Sequence, residues 1–210
     1  MADRLTRRLL GAGVAAGPVF VAVTAAQMLT REGFDVLRHP LSLLSRGGAG
    51  WVQVTNFVVA GVLVGGFAVG VRRLLRPGPA ATAAPVALAV LGGGLVGAGV
   101  FVTDPGGLGF PRQDAGTGTT WHGLAHAAAT AVGLNAGIVA AVVLARRFAR
   151  AGAPGWAAYC LATAVPLAVL AWWRGPGLVS VRLAADVVLL AACVSLVAAR
   201  LYREAAAPPR

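Results

Sequence analysis

His122 and His126 stand four residues apart inside an apolar stretch, so on a helix their imidazoles project from one face. Two ring nitrogens at that spacing can ligate one metal ion. Asp104 closes the preceding apolar run and His39 lies in an earlier polar segment, so a set of three histidines and a carboxylate is within reach. Those donors suit zinc, and three protein ligands with an open fourth position bring the pKa of a bound water to about 7. The same residues have plainer uses. A histidine pair at a membrane interface hydrogen-bonds backbone and lipid head groups, and the glutamate of the helical metalloprotease motif is missing here. Asp104 precedes Pro105, a common turn device in which the carboxylate accepts from nearby backbone N–H groups.

Gln53 and Asn56 are three residues apart and share a helix face. Amides within a membrane hydrogen-bond between helices at about 0.6–2 kcal/mol each, so packing is their first reading and holding a ligand or orienting His39 is the second. Asp186 is the deepest acidic residue, and Arg182 precedes it by four, the spacing of a local ion pair. Asn135, in the middle of an apolar run, reads as an interhelical contact.

The elements that must position these side chains are six apolar stretches, at 11–29, 52–71, 81–102, 123–144, 156–172 and 179–197. Each is near the about 20 residues that span a bilayer as a helix. Residues 1–210 therefore read as one all-α membrane domain, a polytopic bundle of six transmembrane helices. Arginines set its orientation, because short cytoplasmic loops carry the basic excess. Arg4, Arg7 and Arg8, then Arg72, Arg73 and Arg76, then Arg146, Arg147 and Arg150, then Arg200, Arg203 and Arg210 all fall on one side. Both termini are expected in the cytoplasm. The opposite side holds Arg31, Arg38, Arg46, Arg112, Arg174 and Arg182 beside Glu32, Asp35, Asp104, Asp114 and Asp186, with all three histidines. Polar chemistry is therefore expected on the extracytoplasmic face of the cell membrane.

The net charge of +11 sits in short clusters at span ends, where it determines topology and touches anionic lipid, so nucleic acid is not an expected partner. Cys160 and Cys193 lie within spans and read as small apolar packing residues. The first span exceeds the usual core of a cleavable signal and is expected to be retained. Glycines recur at four-residue spacing, at 13 and 17, 61 and 65, 66 and 70, 93 and 97, and 133 and 137, which lets backbones approach where lipid offers no hydrophobic drive.

Two outer segments exceed a plain hairpin. The first, 31–50, carries Pro40 before Leu41, Leu43 and Leu44, the pattern of a short interfacial or re-entrant helix. The second, 103–120, is rich in glycine and proline and reads as a loop closing on a helix capped by Thr119 or Thr120.

Four ordered motifs carry a likeness. Residues 34–42 (FDVLRHPLS), Gly50-Trp51-Val52-Gln53 with Asn56-Phe57, residues 99–105 (GVFVTDP) with Gly109-Phe110-Pro111, and Trp121-His122-Gly123 with His126 together resemble the bacterial and archaeal membrane family catalogued as domain of unknown function 998. The resemblance covers most of the chain and implies six helices, but no activity. An acidic residue commonly follows the second histidine in that family. Ala127 stands there in this sequence, which removes a proton relay through that carboxylate.

Two functions follow as expectations. The first is an integral membrane protein whose outer pocket, with His39, Gln53, Asn56 and Asp104, binds a lipid head group or the loop of a protein partner. The alternative is a zinc-dependent hydrolase of outer-leaflet lipid, with His39, His122 and His126 as ligands and Asp104 and Ser42 as catalytic candidates. It leans on ceramidase-like membrane hydrolases, which are similar in placing histidines, serine and aspartate at helix ends but have seven spans and another residue order. A transporter is disfavoured, since no broken helix pair or charged midplane pathway is visible. The residues leave open whether the protein is an enzyme.

Overall fold

The structure is a computed structural model that describes residues 3–78, 80–112, 116–173 and 177–206. Asp114, Arg174 and Arg210, counted above among the charged residues, lie outside them. The described residues form six α-helices and a short 3-10 turn, with no strand among them. The helices are α1 (Arg4–Thr30), α2 (Gly50–Leu75), α3 (Ala80–Val100), α4 (Trp121–Arg150), α5 (Pro154–Trp172) and α6 (Val179–Ala206), and the 3-10 turn is Leu41–Ser45. Each helix is long and apolar enough to cross a membrane. The six expected spans are therefore present as six helices.

Local sequence sets the helix ends. Asp3 caps α1, its Oδ1 accepting the Thr6 N–H at 2.7 Å, and the Thr120 hydroxyl caps α4 by accepting the Gly123 N–H at 3.1 Å. Pro154 opens α5, where a missing N–H costs nothing. Pro18 inside α1 removes one rung of the ladder, and α6 intervenes one residue earlier. The Ser195 hydroxyl accepts the Gly17 N–H at 3.1 Å and donates to the Gly13 carbonyl at 3.2 Å, so a side chain of α6 bridges the donor and acceptor of one rung of α1.

Each helix packs on its sequence neighbours and α6 returns to α1, which closes the bundle into a ring. Small residues make the seams narrow. A Cβ on Gly94 would lie 2.7 Å from the Ala129 carbonyl oxygen and 2.7 Å from the Gly133 Cα, and one on Gly92 would lie 2.7 Å from the Gly61 carbonyl oxygen. Gly13, Gly17, Gly61, Gly97 and Gly137 of the spaced pairs sit in such seams as well, whereas Gly65 and Gly93 face open space.

One end of the ring carries the start of α1 and the end of α6. There Arg73 pairs with Asp3 at 2.6 Å, Arg147 with Glu204, and Arg7 donates to the Tyr202 hydroxyl at 3.3 Å. The Thr6 backbone and hydroxyl, then Arg73, hold the exposed Asp3 carboxyl down at about 2. Toward this end the ring interior is filled by Phe67, Leu144, Phe148, Val197 and Leu201. Free Cys160 and Cys193 are buried in the same core. Asn135 accepts from the Trp172 indole at 3.1 Å and ties α4 to α5. The other end carries all three histidines and the long connections.

Candidate ligand-binding site

At the histidine end, the segment between α1 and α2 folds back as a cap. Leu43 and Leu44 of the 3-10 turn are buried with Phe110, and Met28 and Phe34 pack against them. Arg31 binds the cap from the end of α1, donating to the Leu44 and Arg46 carbonyls while its guanidinium lies 4.9 Å from the centre of the Phe110 ring. Arg46 donates to the Thr103 carbonyl at 2.7 Å and joins the cap to the α3–α4 connection.

His39 is part of this cap. Its Nδ1 accepts the Asp35 N–H at 2.9 Å, so its proton is on Nε2, which donates to the Leu108 carbonyl at 3.1 Å. Both nitrogens are engaged, and the ring stacks near Phe34 and Phe110. Ser42 sits on the 3-10 turn half-buried, and its carbonyl accepts the Ser45 hydroxyl. Among the described residues no base is hydrogen-bonded to the Ser42 hydroxyl.

Asp104 does something different. Its carboxylate accepts the Thr120 N–H at 2.9 Å and the Thr120 hydroxyl at 2.7 Å, pinning the start of α4 to the end of α3. Those two bonds lower its pKa, with smaller help from the charges of Arg46 and His122. A Cβ on Gly123 would run into the same carboxylate, which gives the glycine after His122 a structural reason.

The histidine pair divides between two roles. His122 is exposed and stacks on Trp121, with ring centroids 3.7 Å apart. His126 is buried, and its Nδ1 donates to both the Ala98 and Phe101 carbonyls, at 2.9 and 2.8 Å. Ala98 lies in the last turn of α3 and Phe101 directly follows the helix, so His126 caps α3 from α4. No three histidine, cysteine, aspartate or glutamate side chains among the described residues are grouped so as to hold a metal ion. His39, Asp104, His122 and His126 share one end of the bundle but form a rivet, a tether and a helix cap instead of one cluster. As arranged, the donor set does not fit zinc.

Gln53 and Asn56 are deeper and face α1. The Gln53 Oε1 accepts from Gln27 at 2.7 Å, Gln53 Nε2 donates to the Thr24 hydroxyl at 3.3 Å, and Asn56 Nδ2 donates to that hydroxyl at 3.1 Å and to the Phe20 carbonyl at 3.0 Å. Gln53 is fully buried and Asn56 is 4% exposed. Sequence reasoning passed over Thr24 and Gln27, although their three-residue spacing in the first apolar span mirrors that of Gln53 and Asn56. Asp186, on α6, differs from expectation too. Arg182 turns away and donates to the Trp173 carbonyl at 2.6 Å, and both Asp186 carboxylate oxygens are buried without a partner. The carbonyl at the end of α5 takes the guanidinium that the i, i+4 spacing assigned to the carboxylate.

Beneath the polar layer the ring encloses a cavity with about 650 Å3 of open space, its mouth included. Phe20 of α1, Phe57 and Val64 of α2, Leu95 of α3, Leu134 of α4 and Leu190 of α6 represent the five helices that line it. Its wall is almost wholly apolar, and the Thr130 hydroxyl, buried without a partner, is its polar exception. Phe20 and Phe57 meet in its wall, with ring centroids 5.3 Å apart.

Six apolar helices ringed around an apolar cavity and capped at one end define a multi-pass integral membrane protein. The chain belongs to the family described as protein of unknown function DUF998, whose profile matches residues 14–200. No curated protein and no solved structure matches it.

Proposed function

We propose that this membrane protein binds a lipid from the outer leaflet, with one hydrocarbon chain in the central cavity and the polar head at the histidine end. The observation that carries this reading is the cavity itself. Its wall is almost wholly apolar, and an apolar cavity stays dry and takes apolar guests. A hydrocarbon chain is the apolar guest that a bilayer supplies in excess.

Further features support the reading. Thr130 offers one hydroxyl to an ester or hydroxyl oxygen on an otherwise apolar chain. Helix α5 contributes nothing to the wall and has the least extensive of the ring's six seams, with α6, which suits lateral entry from the bilayer. At the histidine end, exposed His122, Trp121 and Arg38 meet the interface where a head group would lie. The clusters Arg72, Arg73 and Arg146, Arg147 at the opposite end favour the cytoplasm there, which puts the histidine end outside. Zinc-dependent hydrolysis gains no support from the arrangement of His39, His122, His126, Asp104 and Ser42.

Lipid extraction and mass spectrometry of purified protein test the proposal. Wild type should retain one class of lipid through extensive detergent washing, and Val64→Phe, which fills the wall, should retain much less. Equal retention by both proteins would refute a cavity-bound chain.

A further inference from the structure

Asp186, Asn56 and Gln27 lie outside the cavity wall, and they share an unmet need. Four buried atoms of this group have no hydrogen-bond partner: both Asp186 oxygens, Asn56 Oδ1 and Gln27 Oε1. All four are acceptors. The amide orientations are fixed, because Asn56 Nδ2 donates to the Phe20 carbonyl and Gln27 Nε2 to the Val23 carbonyl, and a backbone carbonyl can only accept. Neither amide can flip to turn its free oxygen into a donor without losing that bond.

The helices bring Asp186 and Asn56 to one depth, and Gln27, further along α1, reaches back toward it by donating to the Val23 carbonyl. Gly17 of α1 packs on the Ala191 backbone of α6, and the two helices run antiparallel. Asp186 is five residues before Ala191, about 8 Å nearer the histidine end, at the depth of α1 residues 20–24. Asn56 bonds to α1 at Phe20 and Thr24, which is the same depth. Val187, next to Asp186, packs against the cluster of Phe20, Phe57, Ala60 and Ala98. Asp186 is 1% exposed and shares the inward stripe of α6 with Leu190, Cys193 and Val197.

A buried carboxylate without a partner is costly, and two neighbouring acceptors deepen the cost. A positively charged group that presents no acceptor satisfies all four oxygens at once. We propose that this layer is a binding site for one monovalent metal cation of the sodium class, held by the Asp186 carboxylate with Asn56 Oδ1 and Gln27 Oε1. Carboxylate and amide oxygens are hard donors suited to hard cations, and no sulfur or imidazole of the polar layer joins them. A single carboxylate balances a single positive charge, whereas a divalent ion would leave an uncompensated charge in the bundle. Arg182 is the competing cation, one turn away with an unpartnered Nε, but its Nη1 is committed to the Trp173 carbonyl. The site is separate from the proposed lipid chain, so either can fail alone.

Thermal unfolding in detergent tests the site, with NaCl replacing choline chloride at constant ionic strength. Wild type should show a saturable rise in Tm, roughly 3–6 °C at ten times the Kd. Arg182→Gln should keep the rise, Asp186→Asn should abolish it, and Asn56→Ala should shift it to higher NaCl. KCl giving a saturable rise of its own would also support a monovalent site. Equal Tm of wild type in NaCl and choline chloride would overturn the proposal, as would a Na+ response that persists in Asp186→Asn or a larger rise with MgCl2. Loss of the response in Arg182→Gln alone would overturn it too, since the guanidinium would then be the partner of Asp186.

Discussion

Replacing His126 by alanine separates a helix cap from a ligand or a filler. The ring donates one N–H to two carbonyls, at 2.9 and 2.8 Å, and it meets the Phe57 ring edge-on with centroids 6.2 Å apart. His126→Ala strands the Ala98 and Phe101 carbonyls, about 1–3 kcal/mol for buried acceptors, and the lost packing brings the total to about 2–4 kcal/mol. His126→Asn sets its Nδ2 near the place of the imidazole Nδ1 and should recover more than half of that loss. Unfolding by SDS in mixed micelles gives both values on one scale. An alanine variant within about 0.5 kcal/mol of wild type would refute the cap. Equal losses for alanine and asparagine would assign the cost to packing and remove the hydrogen bonds from the account.

Other consequences concern the seams and the carboxylates. Gly94→Ala should cost about 1–3 kcal/mol by forcing α3 from α4, whereas Gly93→Ala, facing open space, should be neutral or slightly stabilising; the same micelle unfolding compares them. The Asp104 carboxyl, followed by NMR in micelles, should titrate below the ordinary 3.8, and Thr120→Val should return the midpoint toward that value. Because the folded pKa is depressed, the tether to α4 is fully present above 3.8 and is lost as pH falls through the lowered value, so a wild-type midpoint at or above 3.8 would contradict it. Asp3 follows the same sign: its cap and its pair with Arg73 hold above 3.8 and disappear as pH falls through about 2, a window that Arg73→Gln should move upward.

The helices were legible because their signal is redundant, and about 20 apolar residues in a row survive any uncertainty about individual contacts. Partners were not legible, because each polar side chain takes the nearest backbone group that the fold offers. His122 and His126 do share a face by spacing, yet one turn of depth puts His122 at the exposed first turn and His126 against the end of α3. Arg182 and Asp186 have ion-pair spacing, but the C-cap of α5 supplies a carbonyl that spacing on one helix cannot reveal. Glycine spacing marked which helices approach closely, with Gly13, Gly17, Gly61 and Gly97 in the seams, although Gly93 faces open space and its neighbours Gly92 and Gly94 make the contacts there. The cavity left no trace at all in the sequence. Phe20, Val64 and Leu190 are the residue types that pack any bundle, and only the ring of helices leaves space between them.

The central claim is that a lipid chain occupies the middle of this ring. A phospholipid carrying a diazirine midway along one acyl chain, photolysed in proteoliposomes and mapped by peptide mass spectrometry, tests it most directly. Adducts should concentrate on cavity-lining residues such as Phe57, Leu95, Val187 and Leu190, and should fall in Val64→Phe. Adducts confined to the bilayer-facing Val62, Val139 and Leu161, unchanged by Val64→Phe, would show the cavity to be empty of lipid and contradict the account.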